Sequence, residues 1–479
     1  MIAITLLILP FIGALLTVLL SDSFAKKMAL TSTLITFIFT MKIYFDFTGG
    51  NVDGLVYDAQ WLQEPNLSFV LKIDGLSMLM LILTNLLSMV IVLSGAGATQ
   101  KNTKALYGLI LLMQAAMNGN FMAFEGFTFY VFWELTLIPI YFIALLWGTD
   151  YTRKITFKFF LYTLVGSFFM MISFIILYLV AGSLRLENLY GLSLTGIAQS
   201  LIILGFFLAF AIKIPLVPLH TWQAETYTAA PTQGTMLLSA IMLKMGLYGF
   251  MRWLLPVLPF AVAQVTPIIM VLGIVGVVYG AVIAVQQNNL KRLFAFSSLS
   301  HVGLITAGIF SLKLIGLTGA TVQMFAHAVN VAGLFFAAEI IRRRTGTLDL
   351  NALGGIRSVA PWFSTYFFIL VIASFGLPST NAFVGEFMLI FAIWQYNAFL
   401  AIIAGLTIIF AAVYLLRMYQ RAMLGNTNTV TAKFTDLTLS EHLTFLPLVV
   451  LVFAMGLYPK PIIHLVEPIV NQIIHLAAI

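Results

Sequence analysis

With 479 residues, 61% of them hydrophobic and only 9% charged, this chain cannot dress a water-facing surface, since soluble proteins average about 25% charged residues. Its mean hydropathy of +1.04 puts it among integral membrane proteins. The absence of cysteine excludes disulfides, thiolate-bound iron–sulfur clusters and cysteine nucleophiles, and in such a chain the net charge of +7 points to basic loops on one membrane face rather than to nucleic acid.

Apolar runs long enough to cross a bilayer follow one another from the first residues. They lie near 2–20, 27–45, 76–95, 105–122, 126–147, 158–181, 197–217, 231–252, 261–284, 292–311, 315–341, 362–391, 398–420 and 442–458, which makes about fourteen spans. The first run has no basic region before it and no small-residue cleavage site, so it is read as a permanent span and not a signal peptide. A short tail with Pro461 and Pro468 follows the last. No loop exceeds about thirty residues, too few for a folded nucleotide-binding domain. The glycine-bearing stretch at 94–97 has no phosphate-loop spacing and reads as a helix-ending turn.

Alternation across these spans sorts the loop cations. Sixteen of the 24 Lys and Arg fall in one set of loops, among them Lys26, Lys27, Lys101, Lys104, Arg153, Lys154, Lys158, Lys291, Arg292 and Arg342 to Arg344. Lys42, Lys72, Arg185, Arg252, Lys313 and Lys460 fall on the opposite side. The cation-rich side is expected to be cytoplasmic, with both termini outside.

Six ionisable groups lie within spans, where a charged residue at the centre costs on the order of 3 kcal/mol. Span 5 carries Glu134, span 7 Lys213, span 8 Lys244, span 10 His301, span 11 His327 and span 12 Glu386. A static ion pair holding helices together is the plain alternative, but buried pairs rarely outperform apolar packing, and six groups on six spans exceed what glue requires. A proton path fits them better. Burial disfavours a lysine's charge and a nearby carboxylate favours it, so moving or neutralising Glu134 would switch Lys213 between holding and releasing a proton. Imidazole titrates near neutrality and passes protons along water chains. No His, Asp and Glu grouping has metal-ligand spacing, so no metal is expected.

Two spans are expected to be interrupted: span 7 by Pro215 and Pro218 directly after Lys213, and span 12 by Gly376 and Pro378 shortly before Glu386. Paired interruptions in corresponding positions of two halves point to a transport site. Glu134 and His301, and likewise Lys213 and Glu386, are separated by nearly the same length of chain. The reading is therefore an all-α integral membrane protein with two inverted five-helix repeats and discontinuous helices 7 and 12. Its parts are N-terminal helices over 1–104, a first five-helix unit over 105–255, a second over 256–421, and a last helix with tail over 422–479.

The segment from His220-Thr221-Trp222 through Ala230-Pro231-Thr232 to Leu243-Lys244-Met245-Gly246, and the stretch Asn289-Leu290-Lys291-Arg292-Leu293-Phe294 through Ser300-His301-Val302-Gly303, resemble the signatures of the antiporter-like family of respiratory complex I. That family includes subunits of bacterial NADH–quinone oxidoreductase, of cation/proton antiporters and of membrane-bound hydrogenases. Glu386 in Asn381-Ala382-Phe383-Val384-Gly385-Glu386-Phe387, the Ser300-His301 pair and the lack of a long lateral helix after span 14 resemble its M-type, chain-4 branch. The chain departs from the family at His327-Ala328-Val329, Gln223 to Tyr227 and Gly246-Leu247-Tyr248-Gly249.

The resemblance implies a proton-translocating, non-redox subunit of an NADH:quinone oxidoreductase in a bacterial inner membrane, with no cofactor of its own. An antiporter or membrane-bound hydrogenase subunit is the alternative. Glu134 and Lys213 would be the ion pair of the first half-channel, Lys244 the central relay, and His301, His327 and Glu386 the second-half path and exit. Implied partners are L-type and N-type neighbouring subunits, membrane lipid and protons, and no nucleic acid.

Overall fold

The computed structural model describes residues 2–64, 66–95, 101–149 and 152–477. The turn expected at 94–97 lies partly outside them. Helices α1 (Ile2–Leu19) and α2 (Asp22–Thr48) lead into an antiparallel hairpin, β1 (Val56–Leu62) and β2 (Leu67–Lys72). Then come α3 (Gly75–Ser94), α4 (Thr103–Met122), α5 (Gly126–Trp147), α6 (Thr152–Ala181) and α7 (Gly196–Lys213). After a short helix at Gln223–Ala229 the chain enters α8 (Thr232–Leu254), α9 (Pro259–Gln286), α10 (Leu290–Ile309) and α11 (Leu314–Thr345). It closes with α12 (Pro361–Ser374), α13 (Asn381–Tyr396), α14 (Ala398–Met423), α15 (Leu439–Leu457) and α16 (Lys460–Ala477).

Among the described residues, twelve helices are long and apolar enough to cross a membrane. The expected count of about fourteen adds α4, where Gln114, Asn118 and Asn120 dilute the apolar run, and the pair α12–α13, whose 14 and 16 residues are each too short alone. Where the sequence suggested a short tail there is an 18-residue amphipathic helix, α16. Pro461 lies in its first turn, where a missing N–H costs nothing, and Leu465, Val466, Ile469 and Val470 are its buried face.

Connections between elements fall on two faces. On one, Arg185 bonds Asp58 of the hairpin, Gly191 N–H donates to the Pro256 carbonyl and Ala3 N–H to the Gly54 carbonyl. On the other, Lys104 N–H donates to Asp22, Leu290 N–H to the Leu348 carbonyl and Gly355 N–H to the Leu424 carbonyl. The cation-rich loops belong to the second face. Three arginines end α11 there, Arg342 to Arg344, where cations suit the helix C-terminus and Gly346 caps it at φ +74. The start of α1 lies with the hairpin face, where Ala3 bonds Gly54, and α16 lies there too, its Leu465, Pro468 and Gln472 bordering the same cavity as Lys72 and Asp74. The helix opening the first expected unit, α4, runs from the cationic face to the hairpin face, and α9, opening the second, runs the other way, as inversion requires.

Burial is uneven. Helices α8 and α11 are buried along their entire windows and α10 over 94%, whereas α1, α2, α6, α14 and α15 turn much of their apolar surface outward. The helices carrying Lys244, His301 and His327 are thus the ones wrapped by protein. Helices α9 and α10 approach closely: a Cβ on Gly303 would stand 2.5 Å from the Gly273 carbonyl oxygen, and one on Gly280 would stand 2.7 Å from Ser300 N.

Candidate proton path

Both expected interruptions are present. Helix α7 stops at Lys213, and the chain turns irregularly through Pro215 and Pro218 before the short helix at 223–229. The indole of Trp222 donates to the freed Ile212 carbonyl at 3.0 Å. The second break separates α12 from α13 around Gly376 and Pro378. A third was not foreseen. Helix α5 is disrupted at Leu135–Thr136, beside Glu134, and Pro139 explains it, because its ring excludes the bond to the Leu135 carbonyl four residues back. Helix α8 also contains two π-helical stretches, Leu237–Met242 and Phe250–Leu254, which flank Lys244 and frequently mark functional sites.

In the first half, Lys213 is buried with 2% of its surface exposed. Its ammonium lies 4.8 Å from the Trp133 ring centroid and donates to Thr136 Oγ1 at 3.4 Å. These residues flank Glu134 in α5. The expected Glu134–Lys213 ion pair is not closed: among the described residues no contact within 4.0 Å joins them, and Glu134 Oε1 has no hydrogen-bond partner. The lysine instead uses the cation–π face and the hydroxyl that the α5 disruption turns towards it.

In the second half the groups form a row in which Lys244 and His327 are hydrogen-bonded and the later members stand near one another without bonding. Lys244 is fully buried, and its Nζ donates to the Ser239 carbonyl at 2.9 Å and stands 2.9 Å from His327 Nδ1. When Lys244 is charged it can only donate, so Nδ1 must accept and the imidazole proton sits on Nε2. The His327 and His301 ring centroids are 6.0 Å apart. His301 Nδ1 lies 3.2 Å from Glu386 Oε1, near enough for an ion pair but not aligned as a hydrogen bond. Gln323 Nε2 also donates to that oxygen at 3.2 Å.

A cavity of about 10 Å³ lies among His301, His327, Gln323, Asn330 and Ser297, room for about one water in a polar setting. Among the described residues, His327 Nε2 and both His301 nitrogens lack hydrogen-bond partners, so a water there would meet unsatisfied groups on both sides. The row Lys244, His327, His301, Glu386 can pass a proton by alternate donation and acceptance.

Five charged or polar positions escaped the sequence reading: Arg252, Lys291, Glu339, Asn330 and Asn381. Arg252 and Lys291, taken as loop cations, are buried at 1% and 3% exposure. Arg252 pairs with Asp74 at 2.7 Å, and Lys291 Nζ donates to the Ala230 carbonyl at 2.8 Å. Glu339 accepts from Thr232 Oγ1 at 2.6 Å, while Asn330 and Asn381 exchange amide bonds at 3.1 Å. Thr232 and Lys244 on α8 thus meet Glu339 and His327 on α11 at equal spacing, so two polar contacts fix the antiparallel register of these helices. Arg252, Lys291 and Glu339 sit at span edges, where a charge reads as part of a loop, and Asn330 and Asn381 are uncharged residues inside spans 11 and 12, which no charge penalty marks out.

A family model described as NADH:quinone oxidoreductase/Mrp antiporter, TM, matches residues 123–411. The chain is 35% identical to NADH-quinone oxidoreductase subunit M of Rickettsia prowazekii (strain Madrid E) over 448 residues, 93% of this chain and 91% of that protein. It is 32% identical to NADH-ubiquinone oxidoreductase chain 4 of Marchantia polymorpha over 475 residues, covering 98% and 96%. Among solved structures, a chain of respiratory complex I from Thermus thermophilus with bound NADH superposes with a TM-score of 0.91 at 28% identity, over 100% of both chains. A chain of the Mrp complex from Dietzia sp. DQ12-45-1b superposes at 0.87 and 20% identity, over 100% and 98%, a likeness of fold.

Proposed function

The chain belongs to the NADH:quinone oxidoreductase/Mrp antiporter transmembrane family, alongside its subunit M and chain 4 members, and we propose that it carries protons across the membrane as one subunit of a respiratory NADH:quinone oxidoreductase. The observation that carries this reading is the buried row from Lys244 through His327 and His301 to Glu386, its first three members on the helices most enclosed by protein. Buried ionisable groups that lack partners are costly, and a transported proton is the ligand that makes sense of their alternating order.

The chain itself is a non-redox subunit, with NADH oxidation and quinone reduction in its partners. Residues 105–255 and 256–421 act as two inverted units. In the first, Lys213 is loaded from the cationic face, which is cytoplasmic, and Glu134 moving towards or away from it sets whether the proton is held. Lys244 receives the proton and hands it to His327. Glu386 at the α12–α13 break releases it towards the hairpin face, outside, where both termini lie. The membrane is a bacterial inner membrane, and L-type and N-type subunits flank the chain. Glu386, in the segment that resembles the M-type branch, favours this reading over a cation/proton antiporter.

The test is pumping by the intact complex in proteoliposomes. Glu134→Ala or Lys213→Ala should abolish NADH-driven acidification and greatly slow quinone reduction while the complex still assembles. Near-normal pumping by either variant removes that residue from the path.

A further inference from the structure

We infer that Arg252 is a fixed-charge barrier that closes the short route from Lys244 to the hairpin face, so that the central proton is forced sideways through His327. The inference rests on the proton-path reading of Lys244.

Three residues of α8, Lys244, Tyr248 and Arg252, follow one another at four-residue steps, the spacing of one helix face. Arg252 Nε donates to Tyr248 Oη at 3.1 Å, which fixes the two on the same side. Beyond Arg252 lies Asp74, and Asp74 borders a cavity of about 390 Å³ on the hairpin face, lined also by Lys72, Glu187, Tyr190 and Gln472. Water in that cavity would come within about two helical turns of Lys244. The route through His327, His301 and Glu386 is much longer, and a proton taking the shorter one would bypass the second unit.

The groups in the gap do not conduct. Tyr248 Oη donates to the Phe121 carbonyl at 2.9 Å and accepts from Arg252, and Ser77 Oγ at 3.4 Å can donate to its second lone pair, so its proton and lone pairs are committed. Arg252 is 1% exposed, its guanidinium 4.5 Å from the Phe124 ring centroid. A guanidinium stays protonated at any physiological pH and has no acceptor to take a proton. Its carboxylate partner Asp74 sits on the outer side at 2.7 Å, which leaves the positive end of the pair facing Lys244. A buried arginine excludes protons from other membrane pores on the same electrostatic ground.

Arg252 stands roughly 12 Å from Lys244 along the helix, where one unit charge at an effective dielectric of about 20 changes proton occupancy roughly tenfold. The intact complex is reconstituted in proteoliposomes, given an imposed pH gradient without NADH, and followed with an entrapped pH dye. Arg252→Met should speed the decay of the gradient roughly tenfold, and Arg252→Lys, which keeps the cation, should stay as tight as the parent. Asp74→Asn combined with Arg252→Gln keeps the hydrogen-bonded shape without charge, guards against a folding failure of the methionine variant, and should leak as well. Unchanged decay in both neutral variants, or an equal leak in Arg252→Lys, overturns the barrier. Either result leaves the proton path standing if the parent complex pumps with NADH, whereas a parent that does not pump removes the path itself.

Discussion

A single methyl group placed at Gly376 tests the exit of the path without altering any charge. Gly376 has φ +68 in the break between α12 and α13, and a Cβ there would overlap Glu386 Oε2 and stand 3.2 Å from its Cδ. Holding alanine in the left-handed region costs about 1–2 kcal/mol, and the overlap is relieved only by moving the carboxyl group. That carboxyl now lies 3.2 Å from His301 Nδ1, so a displacement of a few tenths of an ångström or more weakens the contact on which transfer depends. The same shift pulls on the hydrogen bond that the carboxyl accepts from Gln323 Nε2 at 3.2 Å, and losing one hydrogen bond to a charged group is worth about 1.5–3 kcal/mol, or roughly ten- to hundredfold in a step that uses it. Gly376→Ala should therefore assemble, as judged on native gels, yet acidify proteoliposomes ten- to hundredfold more slowly by this reckoning. Gly425→Ala separates strain from contact: it has φ +84 with nothing within 4 Å of the added Cβ, and should pump like the parent. Parent-level pumping by assembled Gly376→Ala would refute a role for the His301–Glu386 approach.

Lys244→Met removes the donor to both His327 and the Ser239 carbonyl and should stop pumping with little loss of thermal stability, since an apolar side chain of similar length suits a fully buried site. Gly303→Ala drives a Cβ into the backbone of α9, at 2.5 Å from the Gly273 carbonyl and 2.9 Å from Val277 N. Neither atom can rotate away, so overpacking of about 1–3 kcal/mol should lower the melting temperature and yield of the complex. Asp74 gives a pH signature outside the spans. Burial pushes its carboxyl up, but the charge of Arg252 and hydrogen bonds from Arg252 and Ser77 outweigh this and hold it below its ordinary 3.8. The pair's stabilisation is thus present above the unfolded value and lost as pH falls through the lower folded one. The melting temperature of the parent should fall with acid below pH 3.8, and Asp74→Asn with Arg252→Gln should lack that component.

The six intramembrane groups were legible because hydrocarbon makes each charge expensive, so a lysine or glutamate inside an apolar run stands out without any structure. The two main interruptions were legible because proline cannot join a helical ladder. Pro139 carried the same signal in span 5 and went unread, because a proline among apolar residues more often bends a span than disrupts it. The π-helical stretches of α8 have no compositional mark at all. Arg252 and Lys291 were misassigned for a related reason: at a span edge a long cation reads as one that snorkels to water, and only a fold shows that the edge is covered.

The sequence by itself determined that this chain lives in a membrane, which side its cations favour, and which six residues sit where charge should not be. Those follow from the solvation of single side chains, a local property. Tertiary structure decided who touches whom. It set Lys244 against His327 and left Glu134 apart from Lys213. It also brought Asp74 to Arg252 across most of the first half of the chain. Such contacts depend on how helices far apart in sequence are turned and stacked, and an ångström in that stacking separates a closed ion pair from an open one.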